Sequence, residues 1–146
     1  MLLHESRRLS TWLIFNVSQR MKATGEHLLP RDAQLEALAT LSLHRVLAEH
    51  GQETFDYRKH LAVSRADMVA YFQEHPGKAE ALLQPKEEKK LLHDVDRIES
   101  RDGRFVVFWM DHGTERFHAW YESLAEAAAD YVASQFGYPY PDARKG

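Results

Sequence analysis

Two short turn signals bracket one apolar strand, and they constrain this chain more than any other feature. Between Ser100 and Gly137 it runs SRDGRFVVFWMDHGTERFHAWYESLAEAAADYVASQFG. Asp102-Gly103 suits a two-residue hairpin turn, because both central residues need positive φ. His112-Gly113 offers a second reversal. The spacing predicts strands over Asp94–Ser100, Arg104–Met110 and Arg116–Tyr121. In the middle strand Phe105, Val107 and Trp109 point one way, and Val106, Phe108 and Met110 the other. Both faces are apolar, so it is expected to be central and covered on each side. In the third strand, alternation puts Phe117, Ala119 and Tyr121 on one face and Arg116, His118 and Trp120 on the other. Ser123-x-x-Glu126 then reads as a capping box. It opens a helix with Leu124, Ala127, Ala128, Tyr131, Val132 and Gln135 along one stripe, ended by Gly137.

Upstream, the pattern is mainly helical. Pro30–His50 reads as one helix, with Pro30 in the first turn, an apolar face through Leu35, Leu38, Leu43, Val46 and Leu47, and Gly51 at its end. Gln52–Val63 is expected to be irregular. Ser64-x-x-Asp67 opens another helix, stopped at His75-Pro76-Gly77, and Lys78–Leu83 forms a short helical segment. Thr11–Val17 fits a strand by its aromatic and β-branched content, although its apolar spacing also suits a helix. Lys86–Lys90 is a solvated charge run. The fold class expected is α+β: a single domain over residues 1–146, with a small antiparallel sheet packed against N-terminal helices. Its mainly helical part covers 1–92, the strands and C-terminal helix 93–137, and an extended tail 138–146.

Composition excludes several classes. The chain has no cysteine, so it holds no disulfide framework, thiolate metal site or cysteine nucleophile. No stretch approaches the roughly 18 apolar residues of a membrane span. The apolar run Trp12–Phe15 is too short for a signal sequence, and a cytoplasmic protein is expected. Net charge is −3, and residues 94–130 hold nine acidic side chains against four basic. That bias is opposite to a nucleic-acid binder's. Phosphate-binding glycine loops are absent, and no cofactor is expected.

Nine histidines invite a metal site, but none has a partner at a strong ligand spacing. His93-Asp94 is the nearest signal. A His-Asp pair occurs in metal-dependent phosphohydrolases of the HD type, where His44 or His60 and Asp130 would supply further ligands. Those enzymes carry their ligands on helices, whereas Asp94 reads as the start of a strand. Asp111-His112 pairs a carboxylate with an imidazole, but these residue types are also common at a reversal. Tyr138 and Tyr140 flank Pro139 beyond the last helix. They suit an exposed contact surface, unless the tail folds back onto the helix.

The strand-turn-strand-helix unit Phe105–Met110, Asp111–Glu115, Arg116–Tyr121 and Glu122–Phe136 resembles the C-terminal part of small bacterial immunity proteins from polymorphic-toxin and contact-dependent competition systems. The resemblance implies a non-catalytic protein that binds a cognate toxin and blocks it. An acidic surface would suit a toxin with a basic cleft. The partner-binding residues expected are Asp94, Asp96, Glu99, Asp102, Asp111, Glu115, Tyr138 and Tyr140. The alternatives are the metal-dependent phosphohydrolase at His93 and Asp94, and a regulatory or structural subunit, with a homodimer through the Arg116–Tyr121 sheet edge.

Overall fold

The fold was described from a computed structural model, over residues 28–52, 56–85 and 94–142. Thr11–Val17, the charge run Lys86–Lys90, His93 and the last four residues lie outside them. Helices α1 (Arg31–Ala39), α2 (Leu43–Glu49), α3 (Arg65–Glu74) and α4 (Pro76–Glu80) precede strands β1 (Val95–Arg101), β2 (Arg104–Asp111) and β3 (Thr114–Tyr121). Helix α5 (Leu124–Phe136) closes the order. The α+β class expected from the sequence is thus present.

The single helix expected over Pro30–His50 is two. Leu41 takes φ 55°. The amide of Ser42 donates to Ala37 O at 2.9 Å and that of Leu41 to Leu38 O at 3.2 Å. These bonds form a Schellman ending with leucine where glycine is usual. The hydroxyl of Thr40 also turns back onto Glu36 O at 2.7 Å. The break lets Leu35, Leu38, Leu43, Val46 and Leu47 all reach the core. The region 52–63, expected to be irregular, contains a 3₁₀ turn over Tyr57–His60.

Caps behave largely as their sequences require. Ser64 and Asp67 form a reciprocal capping box on α3. On α5 only half the expected box forms. Ser123 Oγ accepts from the Glu126 amide at 3.3 Å, while the Glu126 carboxylate turns to Arg65 at 3.7 Å. Gly137, at φ 58°, ends the helix.

The sheet is antiparallel in the order β1-β2-β3. Both turns have positive φ at their two central residues, Asp102-Gly103 and His112-Gly113, as type I′ geometry demands. Helix α5 contacts all three strands and α1, α3 and α4. Ala127, Ala128 and Ala129 are fully buried, and their small side chains permit this close approach on both sides. Gln135, placed on the apolar stripe by spacing, is exposed. The main core joins Leu38, Leu43, Leu47, Met68 and Phe72 to Ile98 and α5. Val106, Phe108 and Met110 form a second buried cluster on the opposite face of β2, so both faces are covered as expected.

The two sheet edges differ. Along β1, Gln84 serves as a one-residue extension: its amide donates to Ile98 O at 3.0 Å and its side-chain carbonyl accepts from Ile98 N at 2.9 Å. The outer edge of β3 has no such cover among the described residues. It carries a β-bulge instead, the register shifting between Val107 and Trp109. Phe117 sits in the bulge at φ 59°. This breaks the simple alternation expected for β3. Arg116 now faces Trp109 and Ala119 faces Val107, so both lie on the α5 side of the sheet.

Candidate functional site

The carboxylates expected to form a binding rim are divided by the fold. Asp94, Asp111 and Glu115 lie at one end of the sheet, whereas Asp102 occupies the hairpin turn at the other. Glu99 is a correction: it is 0% exposed, because β1 points it onto the β2 face that holds Val106. There it joins Arg97 at 3.3 Å and Arg101 at 2.9 Å. Glu115 is also internally engaged, taking both terminal nitrogens of Arg101 at 2.8 and 2.6 Å. Asp111 binds the His112 ring and the Arg116 guanidinium, each at 2.7 Å. These two partners hold its carboxyl below the usual carboxylate range. Asp94 and Asp102 are exposed.

Tyr138 and Tyr140 are a second correction, since they are only 6% and 3% exposed. The tail folds back, with the Tyr138 hydroxyl donating to Val63 O at 2.8 Å and the Tyr140 hydroxyl to Ala129 O at 2.6 Å. Their rings meet edge to face at 5.5 Å. Asp142 completes the clasp by accepting from the amides of Arg65 at 2.7 Å and Ala66 at 3.2 Å, at the start of α3. Both tyrosines hold the tail to the core and are buried there.

Residues proposed as further metal ligands are similarly occupied. Asp130 takes Arg65 in a two-nitrogen grip at 2.7 and 3.1 Å and the Tyr121 hydroxyl at 2.6 Å. His44 hydrogen-bonds to Tyr57, and His60 is buried in the 3₁₀ turn. Among the described residues no three His, Asp or Glu side chains converge in a metal-binding geometry.

What the fold does assemble is a groove beside the bulge of β3. Val107, Trp109 and Ala119 line it from the strands, Phe117 forms part of its rim, and Asp96 and Ser134 supply its polar part. Its volume is about 490 Å³, within the range of roughly 300–1,000 Å³ typical of ligand sites. Ser134, on α5, donates its hydroxyl to Asp96. Phe117 is 80% exposed. An aromatic residue in the left-handed region costs about 1–2 kcal/mol, and at this exposure burial returns little of it. Such strain persists where surrounding structure imposes it, most often at functional sites. Comparison with protein-family models, with curated proteins and with solved structures gave no match.

The reverse face of the sheet carries a stacked ladder. Arg101 lies over Phe108 at 4.8 Å, Phe108 stacks on His118 at 5.3 Å, His118 on Trp120 at 6.3 Å, and Arg104 covers Trp120 at 4.6 Å. Trp120 remains 42% exposed. Together with Phe117 it makes β3 the strand richest in exposed aromatic surface. No helix among the described residues is long and apolar enough to cross a membrane.

The groove was not legible as a site in the sequence, but its bulge left a trace. A two-residue turn at His112-Gly113 pairs Asp111 with Thr114. Strict continuation of that register would turn Tyr121 away from α5. Placing Tyr121 on the core side requires one extra residue in β3, and Phe117 lies in the bulge that supplies it.

Proposed function

We propose that this chain is a non-catalytic binding protein of the immunity kind, which holds a cognate toxin and blocks its action. The observation that carries this reading is Phe117: strained, almost fully exposed, and set at the rim of an apolar groove on a rigid sheet. Rigid aromatic side chains beside a pocket are the groups that dominate protein–protein affinity. The acidic bias of residues 94–130 supports the same reading, because exposed carboxylates such as Asp94 and Asp102 steer a basic partner toward the sheet. The resemblance of Phe105–Phe136 to immunity proteins supplies the partner class. The binding surface proposed is centred on the β3 bulge, with the acidic turns in a steering role.

Co-expression tests this. The products of the genes flanking this chain's own gene are each expressed alone and together with it, and growth and complex formation are followed. Survival with a stable stoichiometric complex is the expected result. Equal killing with no complex would overturn the reading. Metal analysis of the purified full chain separates it from the phosphohydrolase alternative. A tightly held, stoichiometric divalent ion would overturn a non-catalytic role.

A further inference from the structure

The geometry points to a defined chemistry for what enters the groove: an apolar side chain flanked by a lysine or arginine of the partner, the apolar group seated beside Phe117 and the cation paired with Asp96. The inference rests on the binding reading above for the partner's class, but its chemistry comes from the groove itself.

Charge decides the cationic half. Several of the fold's partly or fully buried carboxylates are neutralised by its own arginines, as Arg101 does Glu99 and Glu115, and Arg65 does Asp130. Asp96, half-buried, differs from these. It lies in the groove, accepts a hydrogen bond from the neutral hydroxyl of Ser134, and forms no ion pair among the described residues. Its negative charge, met by a neutral hydroxyl, lies at the polar part of an otherwise apolar depression. A partially desolvated carboxylate beside apolar walls favours a cation on an aliphatic stem, because the stem covers the walls while the charge reaches the oxygen.

The bulge decides how the partner approaches. An edge strand invites a further strand, but a bulge interrupts the row of donors and acceptors that pairing needs. At Phe117 the backbone turns to φ 59°, so a partner strand cannot run along β3 without a break. Side-chain insertion remains, with Val107, Trp109 and Ala119 as the receiving surface. The same interruption disfavours the strand-to-strand homodimer through Arg116–Tyr121.

A random linear-peptide display library panned on the immobilised full chain tests this, with Phe117→Gly for counter-selection. Enriched peptides are expected to place Leu, Ile, Phe or Trp next to Lys or Arg. An enriched peptide, synthesised and titrated, should bind Phe117→Gly roughly 30-fold more weakly, the scale of an interface hot spot. Asp96→Asn should weaken it about 10-fold and flatten its salt dependence. Glycine accepts positive φ without penalty, so Phe117→Gly should keep or raise its melting temperature, which separates lost binding from lost folding. No enrichment over the variant, enrichment of peptides lacking a cation, or equal binding by Asp96→Asn would each overturn the proposal. A concentration-dependent dimer abolished by Phe117→Gly would also overturn it, assigning the groove to a second copy. Toxin neutralised equally well by Phe117→Gly would remove the groove's role while leaving the immunity function. Cationic–apolar enrichment without neutralisation would leave the groove's chemistry and remove the toxin.

Discussion

Leu41 and Phe117 hold left-handed backbone without being glycine, at φ 55° and 59°, and both are exposed. Each has a Cβ in a region that disfavours one; Phe117, 80% exposed, recovers little by burial, and Leu41, 38% exposed, recovers part of the cost. Leu41→Gly is expected to stabilise the fold by about 1 kcal/mol, the scale of the left-handed penalty, seen as a higher urea midpoint. Phe117→Gly should do likewise on its own. If both variants lose stability, side-chain packing outweighs backbone strain at these positions. Glu99 is the opposite case, a charge removed from water and held by Arg97 and Arg101. Removing one member of a buried ion pair strands the others, so Glu99→Ala should cost about 3–5 kcal/mol. A loss below about 1 kcal/mol, the worth of a surface pair, would mean that these arginines find water instead. The sequence marked Glu99 as acidic but could not show its burial, because a strand residue's face depends on what covers the sheet.

Elements whose ends are specified locally by glycine or a capping side chain were legible; the leucine-ended break at Leu41 and the ends specified by distant partners were not. The turns at Asp102-Gly103 and His112-Gly113, and the stop at Gly137, follow from φ alone. The Ser64 cap follows from one side chain reaching an amide three residues on. Ser123-x-x-Glu126 shows the limit of such local reasoning. Its Ser123 half forms, but Arg65, 61 residues before Glu126 in the chain, draws the glutamate away. Ser123→Ala should therefore cost about 1 kcal/mol, while Glu126→Ala should cost under about 0.5 kcal/mol, as for an exposed ion pair. Chemical denaturation of the two variants checks the asymmetry, and an equal loss would mean that the full capping box forms in solution. The tail was illegible for the same reason. Tyr138 and Tyr140 looked exposed beside prolines, yet each hydroxyl finds a carbonyl, Val63 O 75 positions earlier and Ala129 O across the end of α5. Tyr140→Phe keeps the ring and removes the bond, so a loss of about 1 kcal/mol is expected.

Across the whole molecule, carboxylates tie the helical half together and to the tail, and this makes stability depend on pH with a definite sign. The Arg31 guanidinium, with the Ser64 amide, lowers the Asp67 carboxyl to about 2. Lys78 and the Tyr71 hydroxyl hold Glu36 below its usual range, and the Arg65 amide does the same for Asp142. A carboxyl whose folded value is depressed binds fewer protons folded than unfolded. Its contribution is fully present above the ordinary carboxylate range and is lost as pH falls toward the folded value. These groups link α1 to α3 and α4, and the tail to α3, whereas the depressed carboxyl of Asp111 joins only its hairpin neighbours His112 and Arg116, so acid loosens the helical layer before the β1-β2-β3 hairpins. The urea midpoint should hold from pH 7 to about 5 and then fall steeply toward pH 2. Asp67→Asn cannot titrate there, so it should start lower at pH 7 and fall less between pH 4 and 2. Amide exchange at low pH should open α3 and the tail ahead of β2. A midpoint that stays flat down to pH 3, or strands that exchange before α3, would show that apolar packing around α5, and not these carboxylates, joins the two halves.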